Sequence, residues 1–319
     1  PHRMGSSPRQ VHAGLAGLYL IEDENSQTLG LPSQYGIDDV PLVVQDRSFT
    51  NGRMRPYSVT HQQIMDGLRE ETLVVNGTVD AYHTVPQGWV RLRLLNASHA
   101  RFYRFSFSDG TAFYKIATEG GFLNQPVRME AIEMSPGERN EIMVDLSDTK
   151  STTLIAELLP TDPEDGPRFF ERLPQAPVVE LRTDPSLQAD GVLPEVLNDI
   201  EYMDPADATE VRNIRLSMEV RGQGRDRGGR DSNRRFGERR GGERRTDEAS
   251  GETGGHPGGH GAGMFGINGR PMNMTEIAFS AKRGEVEIWR ITAERMPHPF
   301  HVHGASFQIL THNGRPPAE

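Results

Sequence analysis

Three histidines stand within one short stretch, His298-Pro299-Phe300-His301-Val302-His303-Gly304. On a strand, residues two apart point to the same side. His301 and His303 are therefore expected to converge on one site. His298 has the opposite parity and is expected to face a different site, although Pro299 makes that geometry approximate. Imidazole suits copper, zinc, iron and nickel, so the spacing points to a metal site without naming the metal. An HxH pair on a strand also occurs in cupins and zinc hydrolases. The alternative is a set of exposed or core-satisfied histidines. Against it stand the density of the cluster and Gly304, which permits close backbone packing.

The elements that must position these side chains read as strands. Short runs rich in β-branched and aromatic residues recur at Gly17 to Ile21, Pro41 to Gln45, Leu73 to Val75, Trp89 to Leu95, Phe102 to Phe107, Phe113 to Ala117 and Glu141 to Leu146. Gly, Pro, Asn or Asp bound them. Val90-Arg91-Leu92-Arg93-Leu94 alternates with period two, as a half-buried strand does. Thr60 to Arg69 is an ambiguous short helix. Strand-like sequence resumes at Ile277 to Ser280, Glu285 to Ile291 and Ser306 to Leu310. Many short strands with this turn spacing predict an all-β architecture of Greek-key sandwiches or barrels.

Composition sets further bounds. The 319 residues suffice for two domains and part of a third, and only 35% of them are hydrophobic, so part of the chain is expected to lie outside any core. A net charge of −10 argues against a general nucleic-acid binder. No apolar run is long enough to span a bilayer. The chain has no cysteine, which excludes disulfides, thiolate zinc sites, a thiol nucleophile and a blue-copper centre built from this chain alone. It opens at Pro1 and closes at Glu319 in a polar, turn-like stretch, and reads as the middle of a longer polypeptide.

Two stretches break the strand pattern. Pro160 to Pro194 is rich in proline and acidic residues and is expected to be a surface linker. Arg221 to Gly263 mixes Arg and Gly with acids and ends in Gly254-Gly255-His256-Pro257-Gly258-Gly259-His260-Gly261. With almost no apolar content it cannot offset the entropy of ordering, and a disordered insertion is expected. Arg/Gly tracts also bind RNA, but the interleaved acids weigh against that here.

The histidine stretch, followed by apolar Phe307, Ile309 and Leu310, resembles the third-domain motif of multicopper oxidases. Pro1-His2 and then Arg9-Gln10-Val11-His12-Ala13-Gly14-Leu15-Ala16-Gly17 resemble the close of the first domain in that family. Gly36-Ile37-Asp38-Asp39-Val40-Pro41, Gly88 to Asn96 and Ser135-Pro136-Gly137-Glu138-Arg139 resemble the copper-free second domain of the bacterial copper-efflux oxidases. Ile267-Asn268-Gly269 resembles their entry to the core of domain three.

The resemblance implies tandem cupredoxin-like Greek-key β-sandwiches. Residues 1–30 would close the first domain, 31–160 form the second, 161–205 link, and 206–319 begin the third, with the insertion at 221–263. It implies His298 as a type 1 copper ligand, His301 as type 2, and His303 and His2 as type 3, with His12 structural. No catalytic residue is implied beyond these ligands. Copper of types 1, 2 and 3 would serve the full-length protein. Type 1 copper would take single electrons from cuprous ions or phenols, and a trinuclear cluster would reduce O2 to water. Met218, Glu294 and Met296 align with positions where the copper-efflux members hold a substrate Cu(I). The insertion is Arg/Gly-rich where those members are Met-rich, which weakens the Cu(I) specialisation. A periplasmic or otherwise exported monomer is implied. Other readings are a copper-free cupredoxin-fold envelope scaffold of cell division, and a copper-binding or storage protein supported by His256 and His260.

Overall fold

Tyr103, Phe105 and Phe107 are buried, whereas Arg104 between them is exposed and Ser106 half-buried. Because successive side chains on a strand point to opposite faces, this run lays one face on a core. The computed structural model describes residues 2–3, 5–158, 175–217, 265–271, 273, 275–293 and 297–317. Its elements begin with helices α1 (Ser7–His12) and α2 (Glu24–Thr28), then β1 (Asp39–Arg47), β2 (Phe49–Thr50), β3 (Arg53–Met54) and helix α3 (His61–Asp66). Next come β4 (Thr72–Val75), β5 (Ala81–Pro86), β6 (Trp89–Asn96), β7 (Tyr103–Phe107), β8 (Phe113–Thr118) and β9 (Gly121–Met129). β10 (Ala131–Met134), β11 (Arg139–Asp145), β12 (Ser151–Leu158) and β13 (Ala176–Asp184) follow.

These strands make two sheets, ordered β4-β1-β6-β11-β8-β9 and β10-β7-β12-β13-β5. β1 runs parallel to β6, pairing Leu42 with Leu94, and β13 runs parallel to β5. Parallel neighbours cannot be joined by a hairpin, so the chain crosses to the other sheet between them, as in a Greek key. Val40, Leu42, Leu92, Leu94 and Ile142 from the first sheet meet Tyr103, Phe105, Ile132, Leu154 and Leu181 from the second in one buried cluster. The all-β expectation is met by a cupredoxin-like sandwich.

β6 is buried along nearly its whole length. Val90, Leu92 and Leu94 fill the sandwich; Arg91 and Arg93 lie on the opposite face. Arg93 donates to both carboxylate oxygens of Asp39 at 2.7 and 2.8 Å and to Glu141 at 2.9 Å. Arg91 pairs with the other oxygen of Glu141. Charges this buried persist only when paired.

The sequence expectations need correction at several places. The linker expected over 161–205 contains strand β13, which sits inside the second sheet. Pro177 and the flanking acids mask a run in which Val178, Val179 and Leu181 are all buried. After β13 the chain lies on the outer face of the first sheet. There Leu197 packs with Leu31, Ile116 and Met143, and its N–H donates to the Asn124 carbonyl at 2.9 Å. Gly17 to Ile21 alternates exposed Tyr19 and Ile21 with half-buried Leu18 and Leu20, yet is no strand. Ile277 to Ser280 and Ser306 to Leu310 are likewise outside strands. A strand needs a hydrogen-bonding neighbour, and among the described residues these runs have none. The ambiguous run from Thr60 becomes α3, closed by a reciprocal capping box between Thr60 and Gln63.

Two compact units divide the chain, residues 1–207 with 295–319, and residues 208–294. The second holds β14 (Ala208–Ser217), β15 (Gly266–Ile267), β16 (Arg270–Pro271) and β17 (Val286–Ala293), ordered β16-β15-β14-β17. β14 and β17 are parallel. Across them the guanidinium of Arg212 forks onto Glu287 at 2.6 and 2.9 Å and stacks over Phe279. Arg212 first, and the Trp289 indole N–H second, hold the Glu287 carboxyl down at about 2. The insertion expected over 221–263 lies outside the described residues.

Candidate metal centre

His2 and His303 face each other with Nε2 atoms 3.0 Å apart and ring centroids 4.7 Å apart. The His301 ring stands 4.8 Å from that of His303, nearly perpendicular to it. All three side chains are exposed. The structure thus brings together His2, His301 and His303. The convergence of His301 and His303 is the expected one, but its cause is not: residues 297–302 form no strand, and a turn begins at His303. Two rings separated by one residue meet here through an extended loop instead.

His298 is half-buried, and burial lowers its pKa, favouring the neutral imidazole that a metal requires. The ring contacts that join His2, His301 and His303 do not include it, and with no strand here the parity argument does not apply. Met218, Glu294 and Met296 lie outside the described residues.

Sequence reading missed one neighbour. Glu119, on the turn between β8 and β9, accepts from Arg139 Nη1 at 2.8 Å through Oε1. Its other oxygen, Oε2, lies 4.0 Å from Nδ1 of His301. A carboxylate beside Nδ1 is the arrangement that leaves Nε2 of a ligating histidine for the metal. Arg139 closes the Ser135 to Arg139 stretch that the sequence had singled out, so the partner of that arginine was the available signal.

Among the described residues no group of three or more His, Cys, Asp or Glu side chains is placed so that it could hold a metal ion. The donor chemistry nevertheless fits a histidine-bound copper. Metal–imidazole bonds of about 2.0–2.1 Å place two donors on one ion near the 3.0 Å separation of the His2 and His303 nitrogens. A blue centre does not fit this chain alone, since it contributes no thiolate.

The sandwich and its neighbours have a multicopper-oxidase-like cupredoxin fold. The family model described as multicopper oxidase matches residues 244–319. The solved bacterial laccase-like multi-copper oxidase CueO from Ochrobactrum sp. superposes with a TM-score of 0.76 at 30% identity, covering 99% of this chain and 63% of that one. McoA multicopper oxidase from Aquifex aeolicus gives 0.59 at 30% identity over 69% of this chain and 47% of its own. Among curated proteins, cell division protein FtsP of Xenorhabdus nematophila is 32% identical over 313 residues, 97% of this chain and 56% of that protein. The FtsP of Salmonella typhimurium is also 32% identical, over 97% and 56% respectively. The chain thus spans little more than half the length of the curated relatives it matches.

Proposed function

We propose that this chain is part of a copper-dependent oxidase in which His2, His301 and His303 help to hold an oxygen-reducing copper cluster and His298 serves a separate type 1 copper. The observation that carries this reading is the 3.0 Å approach of the His2 and His303 nitrogens, brought together from opposite ends of the chain with His301 alongside. Bound copper would supply one-electron oxidation of a reducing substrate coupled to reduction of O2 to water. The protein's own part is to present neutral imidazoles and fix their orientation. Glu119, held by Arg139, stands beside Nδ1 of His301, and burial favours the uncharged form of His298. The substrates would be cuprous ions or electron-rich phenols, with Met218, Glu294 and Met296 as the candidate Cu(I) site. A periplasmic or otherwise exported location goes with this chemistry. Among the described residues no helix is long and apolar enough to cross a membrane.

One observation favours a second reading. The curated relatives are named cell division protein FtsP, and a copper-free scaffold of the cell envelope would need the fold without the metal. Copper titration with oxygen-consumption measurements on the whole polypeptide separates the two. An oxidase binds copper stoichiometrically and consumes O2 with a reductant. A scaffold does neither, and a storage protein binds without turnover.

A further inference from the structure

Helix α1 has six residues and no side-chain cap, far too short to persist by itself in water. Tertiary contacts must hold it, and they concentrate at its last turn. His12 is the one buried residue of the helix, 3% exposed. Its Nε2 lies 3.4 Å from Oε2 of Glu70, a buried oxygen that has no hydrogen-bond partner among the described residues. Its ring meets Tyr57 edge-on at 5.5 Å and lies parallel to His99 at 6.0 Å. One residue earlier, the Val11 carbonyl accepts from Arg47 Nη2 at 2.6 Å.

Glu70 is itself immobilised. Its N–H donates to Asp46 at 2.7 Å, its Oε1 accepts from the Ser48 N–H at 3.2 Å, and its carbonyl accepts from Arg101 at 2.6 Å. At the other end of α1, the Arg3 carbonyl accepts from the N–H groups of Ser6 and Ser7 at 3.0 and 3.1 Å and from the Ser7 hydroxyl at 3.0 Å. Arg3 follows His2 directly. The first turn of α1 is thus hydrogen-bonded to Arg3, the residue that follows His2, so where the helix sits bears on where His2 sits.

We propose that His12 is a positioning residue for His2: by pinning α1 to the sandwich through Glu70, it sets where the His2 imidazole stands relative to His303. An apolar side chain would fill the same space but remove the 3.4 Å polar contact to the buried Glu70 carboxylate. The consequence for copper rests on the oxidase reading above, whereas the geometry does not.

The test uses the whole polypeptide with His12→Leu, His12→Gln and Glu70→Gln. Metal-free readouts are the NMR cross-peak between the His2 and His303 imidazole protons and amide exchange at Ala13, Gly14 and Leu15, with β6 amides as the internal control. His12→Leu and Glu70→Gln should abolish the cross-peak and speed α1 exchange by about 10-fold or more while β6 stays protected. Copper affinity should weaken by about 10–100-fold, as for other residues that orient ligands. His12→Gln, which retains a donor towards Glu70, should restore both readouts. An unchanged cross-peak in His12→Leu and Glu70→Gln, or His12→Gln behaving like His12→Leu, overturns the proposal. Should His12→Leu also unprotect β6, the isosteric Glu70→Gln decides. A wild type that shows the cross-peak but binds no copper sinks the oxidase reading alone.

Discussion

Nε2 of His2 lies 3.0 Å from Nε2 of His303, although 301 positions separate the two residues in the chain. Both are exposed, and on the oxidase reading they would hold copper. With copper the pair should bind, but the chain has no thiolate to generate an intense blue charge-transfer band. Copper(II) added to this chain should therefore give the weak absorption of nitrogen-bound copper, and His303→Ala should weaken its affinity at least about 10-fold. A strong blue colour from wild-type chain would mean that the ligand assignment is wrong.

The approach of His301 to His303 was legible from their spacing and that of His2 from the family resemblance, but the strand expected to bring the first two together is absent. The sandwich was legible where burial falls on one face, as at Tyr103, Phe105 and Phe107. β13 was hidden because proline and acids flank it and because Val178, Val179 and Leu181 are all buried, so no clean alternation marks it. Tyr19 and Ile21 mislead the other way: their spacing is that of a strand, but pairing is decided by a neighbour that no local pattern specifies. Glu119 escaped notice because its relation to His301 exists only after both loops are placed.

His99 offers a pH test of the buried pocket. Burial first, then the Arg47 guanidinium and His12, push its pKa down to about 4 from 6.5, with Asp46 acting in the opposite direction. The unfolded chain thus takes a proton near 6.5 while the folded one waits until about 4. Protons bound by the unfolded state alone disfavour folding. The contribution of neutral His99 is fully present above pH 6.5, and is lost as pH falls towards 4. Thermal midpoints of wild type should fall over that window, and His99→Phe should fall less steeply. Parallel pH profiles would show that His99 does not titrate as its burial requires.

Arg93 ties Asp39 and Glu141 together on the outer face of the first sheet. Removing one member of such a buried set leaves the others desolvated and unpaired, at a cost of about 3–5 kcal/mol. Arg93→Met should lower stability by that amount in urea titration. Arg93→Met with Asp39→Asn should cost less than the single change, because the uncompensated charge at Asp39 is gone. Equal losses in the two would remove the charge argument and leave packing as the explanation.

Glu119 should act on copper through His301 alone. With Arg139 fixing Oε1 at 2.8 Å, Oε2 has a defined direction, 4.0 Å from Nδ1 of His301. A shorter contact is needed for a full hydrogen bond, and charging or metallation of the ring would draw the two groups closer. Glu119→Gln should leave the fold intact and weaken copper binding by about 10-fold, and it should have no further effect once His301 is Ala. An additive loss in the double variant would place Glu119 outside the His301 pathway.

On the oxidase reading, substrate choice would turn on residues flanking His298. Cu(I) is soft and prefers thioether sulfur, with a carboxylate balancing its charge. Met218, Glu294 and Met296 supply that combination in sequence, and Glu294 and Met296 lie four and two positions before His298. A cuprous ion held there would stand near the copper that accepts its electron, whereas a bulky phenol needs only an open surface. The competing account makes both methionines ordinary gap-filling side chains. In the whole polypeptide, Met218→Leu with Met296→Leu conserves apolar volume and removes both sulfurs. Cuprous oxidation should drop by about 10-fold or more, the weight of about 1.4 kcal/mol in transition-state binding, while phenol oxidation stays near wild type. If both rates fall together, or neither changes, the methionines are not a copper site and a generic laccase-like specificity replaces it.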